Sequence, residues 1–175
     1  MADGSFAVAM LVLGLLDMGR NHCGTDEGCL GVEDVTPRWS LSVGSTLPRR
    51  ALEEYEVFLR RDLGFQTGPF GYSVGLSAAE NGEYWIGFGP TWHHEFDNSP
   101  IYVELHLMPG VYFDNGGFDL GGPVNFRSGI EIGMETRTGV RYALSYDHRS
   151  NLDFYGSNPG VETVQFRVSF PLGRR

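Results

Sequence analysis

The stretch Gly139-Val-Arg-Tyr-Ala-Leu-Ser-Tyr-Asp-His148-Arg-Ser150-Asn151, followed after a loop by Gly160-Val-Glu162-Thr-Val-Gln-Phe-Arg-Val-Ser-Phe-Pro-Leu172, decides how this chain folds. Read with a period of two, the first run sets Val140, Tyr142, Leu144, Tyr146, His148 and Ser150 on one face. Arg141, Ala143, Ser145, Asp147 and Arg149 take the other. The second run sets Glu162, Val164, Phe166, Val168, Phe170 and Leu172 against Val161, Thr163, Gln165, Arg167 and Ser169. Both are β-strands by this pattern. A histidine, a serine and a carboxylate stand at the loop-proximal ends of two neighbouring strands, on faces that are otherwise apolar. Packing alone gives no reason for polar groups there.

Working outward, the same alternation recurs from Trp39 onward. Runs begin at Trp39, Tyr55, Phe70, Tyr84, Ile101 and Phe126, and with the two terminal runs they make eight expected strands. Gly68-Pro69, Asn81-Gly82, Asp97-Asn98-Ser99-Pro100, Asp114-Asn115-Gly116-Gly117 and Thr138-Gly139 supply turns between them. Ala51 to Arg61 reads better as strand than as helix, and no helix of useful length is expected. The breaks after the first, fifth and seventh runs are about 7 to 11 residues and those after the second, fourth and sixth about 3 to 5, as in outer-membrane barrels with one long-looped rim.

The expected fold is all-β: an eight-stranded antiparallel up-and-down transmembrane β-barrel over residues 39–175, preceded by an N-terminal segment, 1–38. Alternation does not say which face looks inward. An inward apolar face makes a soluble lipocalin-like binder, and an outward one a membrane barrel. The polar face is rich in glycine and serine, which suits a cramped lumen. It also mixes signs, with Glu56, Arg60, Asp62, Glu104, Arg127, Glu131, Arg141, Asp147 and Arg167 able to pair internally. Aromatics (Trp92, Tyr112, Tyr142, Tyr146, Phe166 and Phe170) are assigned to the apolar face, as interfacial girdles require. These features favour the membrane barrel.

The 175 residues suffice for one domain with a core. A formal charge of −9 argues against a nucleic-acid partner. Cys23 and Cys29 bracket a five-residue loop and allow a local disulfide. His22 beside Cys23 lacks a second ligand pair at zinc spacing, and no metal or cofactor is expected. Phe6 to Leu16 is an apolar run too short to span a bilayer and without a basic n-region; it reads either as a signal-like remnant or as an extra first strand.

Four motifs compete for chemistry. Gly71-Tyr-Ser73-Val-Gly75 matches a nucleophile elbow, but it lies inside an alternating strand with no helix after it, so Ser73 reads as a lumen filler. His93 and His94 are adjacent on a strand and point to opposite faces, which suits rim histidines. Asp114 to Asp119 lacks the spaced ligands of a calcium loop and reads as a solvated turn. His148, Ser150 and Glu162 are different. Residues two apart on a strand share a face, so the imidazole can reach the hydroxyl, and antiparallel pairing can bring Glu162 beside His148. That is the nucleophile–base–orienter arrangement that activates a serine. The plain alternative is a polar rim cluster at the lipid headgroups.

The segment His148-Arg-Ser150-Asn151, then ten residues, then Glu162 within Asn158-Pro-Gly-Val-Glu162, resembles the signature of PagL-type lipid A 3-O-deacylases. The upstream Asp119-Leu-Gly-Gly-Pro-Val-Asn-Phe-Arg-Ser-Gly-Ile-Glu131 is similar to the stretch preceding it in acyloxyacyl-hydrolase-like proteins of Gram-negative bacteria. The resemblance covers residues 100–172. It implies a bacterial outer-membrane barrel, a serine esterase with Ser150 as nucleophile, His148 as base and Glu162 as orienter, and lipid A or lipopolysaccharide as substrate among outer-membrane lipids. Asn151 is expected to bind the oxyanion or position substrate. A homodimer is compatible with this reading, and so is a non-catalytic lipid-binding barrel. One departure stands out: the family continues Ser-Asn-Ala-Gly, whereas this chain has Ser150-Asn151-Leu152-Asp153. In the family the glycine position helps form the oxyanion hole, where a negative charge is unfavourable.

Overall fold

The computed structural model describes residues 4–47 and 54–173. After a short strand β1 (Val32–Asp34) come eight long ones: β2 (Arg38–Leu47), β3 (Tyr55–Thr67), β4 (Phe70–Ala79), β5 (Tyr84–Glu95), β6 (Ile101–Phe113), β7 (Val124–Glu135), β8 (Arg141–Ser150) and β9 (Val161–Pro171). Each of the eight pairs antiparallel with its sequence neighbours, and β9 returns to pair with β2, so β2–β9 form a closed barrel. Closure satisfies every strand edge internally, which a strand in hydrocarbon requires. Tyr55–Thr67 is strand as expected; Ala51 and its next two residues lie outside the described residues.

The apolar faces point outward. Leu41, Leu76, Ile86, Phe88, Ile132, Leu144 and Phe166 are all exposed. A continuous belt of this kind is the surface of a barrel whose solvent is lipid. Among the described residues no helix is long and apolar enough to cross a membrane, so the strands do the crossing.

The lumen is filled and charged. Arg127 donates to both Asp147 (2.8 and 2.6 Å) and Glu56 (2.8 Å), and its guanidinium lies 4.0 Å from the Phe58 ring centroid. Arg149 donates to the other oxygen of Glu56 at 2.6 Å, and Gln165 donates to Glu56 at 2.8 Å. Arg167 pairs with Glu131 and donates to Ser42 at 2.9 Å; Arg60 pairs with Asp62 (2.8 Å) and Glu104 (2.6 Å). Charges cut off from water persist only when paired in this way. The mixed signs expected on the polar face therefore pair internally.

Tyr112 departs from the expectation. It sits in the lumen-side cluster of Phe58, Trp85, Met108 and Leu120, with its hydroxyl donating to the Phe118 carbonyl at 2.6 Å. The ladder pairs Tyr112 with Trp85, and both are buried while their neighbours Val111 and Ile86 face out. The strand's parity, set by Ile101 to Val111, overrides the preference of a tyrosine for the girdle.

The N-terminal run also differs. Ser5–Asp17 is a helix, α1, continued by a π-helical turn, Met18–His22. It is neither the extra strand nor consistent with a chain free of helix. The one edge that the barrel leaves here, the end of β3 beyond β2, is taken by β1, whereas a helix satisfies its backbone internally. Ala, Leu and Met favour it. α1 lies on the outer wall over β5, β6 and β7, with Met10 buried against Trp92 and Leu105. Phe6 meets Tyr146 edge-on, with centroids 5.7 Å apart. Cys23 and Cys29 form the local disulfide. From there Gly31 accepts a backbone bond from Gly68, and β1 pairs with the end of β3, tying the segment to the short-turn rim.

Candidate active site

The site lies where β8 and β9 meet the long-looped rim. The register places His148 directly opposite Glu162 on one side and opposite Ser128 on the other; Ser150 stands opposite Phe126. His148 and Ser150 share the outward face with Tyr142 and Leu144, as their spacing requires. His148 Nδ1 lies 3.7 Å from Glu162 Oε1, ion-pair range but longer than a hydrogen bond. The sequence-predicted serine, histidine and glutamate are thus brought to one place.

The alternate residues hold the strand rigid. Asp147 and Arg149 flank His148 and point into the lumen, where each carries charge-assisted bonds to the network. Side chains anchored on both sides leave little freedom to the backbone that carries the imidazole.

The three groups are not bare on the barrel wall. His148, Ser150 and Glu162 are only 6%, 4% and 5% exposed. Loops roof them. Gly160 sits over the imidazole: with φ +63 and room for a Cβ only 3.1 Å from His148 Cε1, that position favours glycine on both counts.

Asn151 is fully buried and its bonds are taken. Its Nδ2 donates to the carbonyls of Leu120 (2.6 Å) and Ser157 (2.7 Å). Its Oδ1 accepts from the Asp153 N–H at 2.8 Å, and its own N–H donates to Asn158 Oδ1 at 3.1 Å. Both amide N–H groups of Asn151, expected to bind the oxyanion or position substrate, and its backbone N–H are thus engaged within the protein. What Asn151 does is clamp the β8–β9 loop to the β6–β7 loop. Gly121 (φ +85) permits the approach, because a Cβ there would stand 2.8 Å from Asn151 Nδ2. Sequence reading missed Asn158, Gly160 and Gly121 as parts of the site; the Asn158-Pro-Gly160 turn signal was the available clue.

The two residues that depart from the family pattern, Leu152 and Asp153, both have left-handed backbones, φ 54 and 65. Phe154 beside them is exposed and packs edge-on against Phe126, centroids 5.8 Å apart. The ring opposite Ser150 is thereby continued outward by a second aromatic.

The competing motifs fall elsewhere. Ser73 is fully buried in the lumen, donating to Asp62 at 2.7 Å within strand β4. His93 faces the lumen mouth, 3.4 Å from Glu104 and 3.3 Å from Glu95, while His94 faces outward, stacked on Trp92. Asp114 to Asp119 is an exposed turn, closed by the Gly117 N–H donating to the Asp114 carbonyl.

Comparison with known proteins agrees with this architecture. The sequence profile of a family described as lipid A 3-O-deacylase (PagL) matches residues 53–171, more than half of the chain. Among solved structures, the crystal structure of the outer membrane enzyme PagL is similar with a TM-score of 0.62 at 21% identity, covering 77% of this chain and 99% of that one. A de novo designed transmembrane β-barrel is similar with a TM-score of 0.57 at 9% identity, covering 80% of this chain and 98% of that one. At such identities the likeness to solved structures is one of fold. No curated protein matches the sequence.

Proposed function

The chain belongs to the PagL family of lipid A 3-O-deacylases, and from that premise we propose that it is an outer-membrane serine esterase that removes the 3-O-linked acyl chain of lipid A. Ser150 attacks the ester carbonyl while His148 takes its proton through Nε2. The tetrahedral intermediate collapses to an acyl-serine, and the same imidazole returns the proton to the departing sugar hydroxyl. Water, deprotonated by His148, then releases the fatty acid and regenerates Ser150. Glu162, behind Nδ1, orients the ring and stabilises its cationic form. The 3.7 Å separation is the open form of a contact that tightens when substrate excludes water.

The observation that carries this reading is the row Ser128–His148–Glu162 across three strands, with Ser150 two residues further toward the long-looped rim. No packing need explains a buried histidine–carboxylate pair on a lipid-facing wall. The apolar belt delivers acyl chains to that wall, and the long-looped rim meets the leaflet that holds lipid A. Asn151 positions substrate indirectly, by fixing the loop that roofs the serine.

The left-handed Leu152–Asp153 pair favours a second reading, a barrel of the same family with a decayed site that binds lipid without cleaving it. Mass spectrometry of lipid A from cells expressing the wild type and Ser150→Ala, with barrel assembly checked in both, separates the two. Loss of one hydroxyacyl mass in the wild type alone is the expected result. Unchanged lipid A beside a correctly assembled wild-type barrel overturns the esterase assignment.

A further inference from the structure

An apolar cleft lies beside the site just described: Phe6, at its near end, meets Tyr146 two residues before His148. The cleft, of about 640 Å³, lies between α1 and the outer wall of β5, β6 and β7, with Phe6, Ala9 and Leu13 on one side and Trp92, Leu105 and Ile130 on the other. This volume lies within the range of ~300–1,000 Å³ typical of small-molecule sites. Its walls are hydrocarbon apart from Ser5 at the start of α1 and a polar cluster at the other end.

At that end, where α1 passes into its π-helical turn, stand Asp17, Arg20, Asn21 and His94. Asp17 is already engaged: one oxygen accepts from Trp92 Nε1 at 2.8 Å and the other from Asn21 at 2.7 Å. His94 is stacked on Trp92. Arg20 is exposed and forms no ion pair with any described residue. So an apolar slot ends in an available guanidinium, which is the complement of an acyl chain attached to a phosphate.

The outer face of α1 is also apolar, with Val8, Val12, Leu15 and Leu16 exposed. A helix apolar all round belongs in hydrocarbon, not at a water interface. Its polar end lies beside the β5–β6 turn, on the rim of short turns. In the outer-membrane orientation of the proposed function, that rim faces the inner leaflet, whose lipids are glycerophospholipids.

We propose that the cleft between α1 and strands β5–β7 holds one acyl chain of an anionic glycerophospholipid, with Arg20 on its phosphate. The lipid fills the gap between helix and barrel and seals α1 to the wall. The inference rests on the membrane orientation of the proposed function, not on its deacylase chemistry.

The test uses the full chain, α1 included, in phosphatidylcholine vesicles containing increasing fractions of phosphatidylglycerol with brominated acyl chains. Bromine quenches nearby indole fluorescence. A Trp39→Phe background removes the exposed outer-wall indole; Trp85 is buried in the lumen, so Trp92 reports on the cleft. Saturation of quenching at low phosphatidylglycerol fraction is expected, with about a fivefold preference over brominated phosphatidylcholine, as one basic side chain near an anionic headgroup gives. Arg20→Gln should abolish the preference and Arg20→Lys should restore most of it. Ala9→Phe, which fills the cleft, should remove the saturable component while the barrel still assembles. Quenching that merely rises in proportion to mole fraction, and is the same in Arg20→Gln, means annular lipid only and overturns the proposal. Retained saturation in Ala9→Phe also overturns it. Neither result bears on lipid A cleavage, which the Ser150→Ala comparison reads separately.

Discussion

His148 and Glu162 face each other directly across the β8–β9 ladder, Nδ1 to Oε1 at 3.7 Å, and each is almost wholly shielded from solvent. A directly opposed pair on adjacent strands has its Cβ atoms close by construction, so its geometry depends on the register and not on a loop. Glu162→Gln keeps the shape and removes the charge that stabilises an imidazolium. We expect deacylation to fall by roughly 10²–10⁴-fold, the range for general acid–base contributions. Ser150→Ala should abolish it. Heat-modifiable electrophoretic mobility, which reports barrel assembly, should be unchanged in both. Near-normal lipid A deacylation by Glu162→Gln would remove the glutamate from the mechanism.

Asp153→Gly is expected to raise activity. The backbone at 153 is left-handed, φ 65, a conformation that costs a non-glycine residue about 1–2 kcal/mol, less for aspartate. The change relieves that cost and removes a carboxylate from the loop that follows Ser150. Initial rates on purified lipid A in detergent are the readout. An Asp153→Gly enzyme slower than wild type would show that the aspartate is used.

Asn151→Ala should loosen the roof rather than remove a reacting group. The substitution deletes three side-chain bonds joining the β8–β9 loop to itself and to the β6–β7 loop. Leaving the buried Leu120 carbonyl without its donor costs about 1–3 kcal/mol at most. The expected signature is faster proteolysis within residues 152–160 together with reduced activity. Lost activity with an unchanged cleavage pattern would instead favour direct contact between Asn151 and substrate.

Arg127→Ala tests the lumen. Arg127 serves Asp147 and Glu56 at once, and Asp147 is the neighbour of His148. Breaking a buried pair by removing one partner costs about 3–5 kcal/mol. Urea unfolding of the barrel in vesicles should show a loss of that order. A shift within the roughly ±0.5 kcal/mol typical of surface substitutions would mean that water enters the lumen and solvates the orphaned carboxylates.

The sequence alone determined the eight strands and their parity and favoured outward apolar faces, a direction that the structure decided. Period-two alternation is local, and a mixed-sign polar face suits a closed, self-pairing lumen. It also picked out His148, Ser150 and Glu162, because polar groups on an apolar face are visible without coordinates. What the tertiary structure decided depends on contacts between distant segments. Tyr112 faces inward because the whole of β6 shares one parity. Phe6 to Leu16 is a helix because β2–β9 are paired with one another and the projecting end of β3 is taken by β1. Asn151 is a clamp because two loops, separated by about thirty residues of chain, meet over it. Sequence spacing carries the period of an element; it does not carry which carbonyl a buried amide will find.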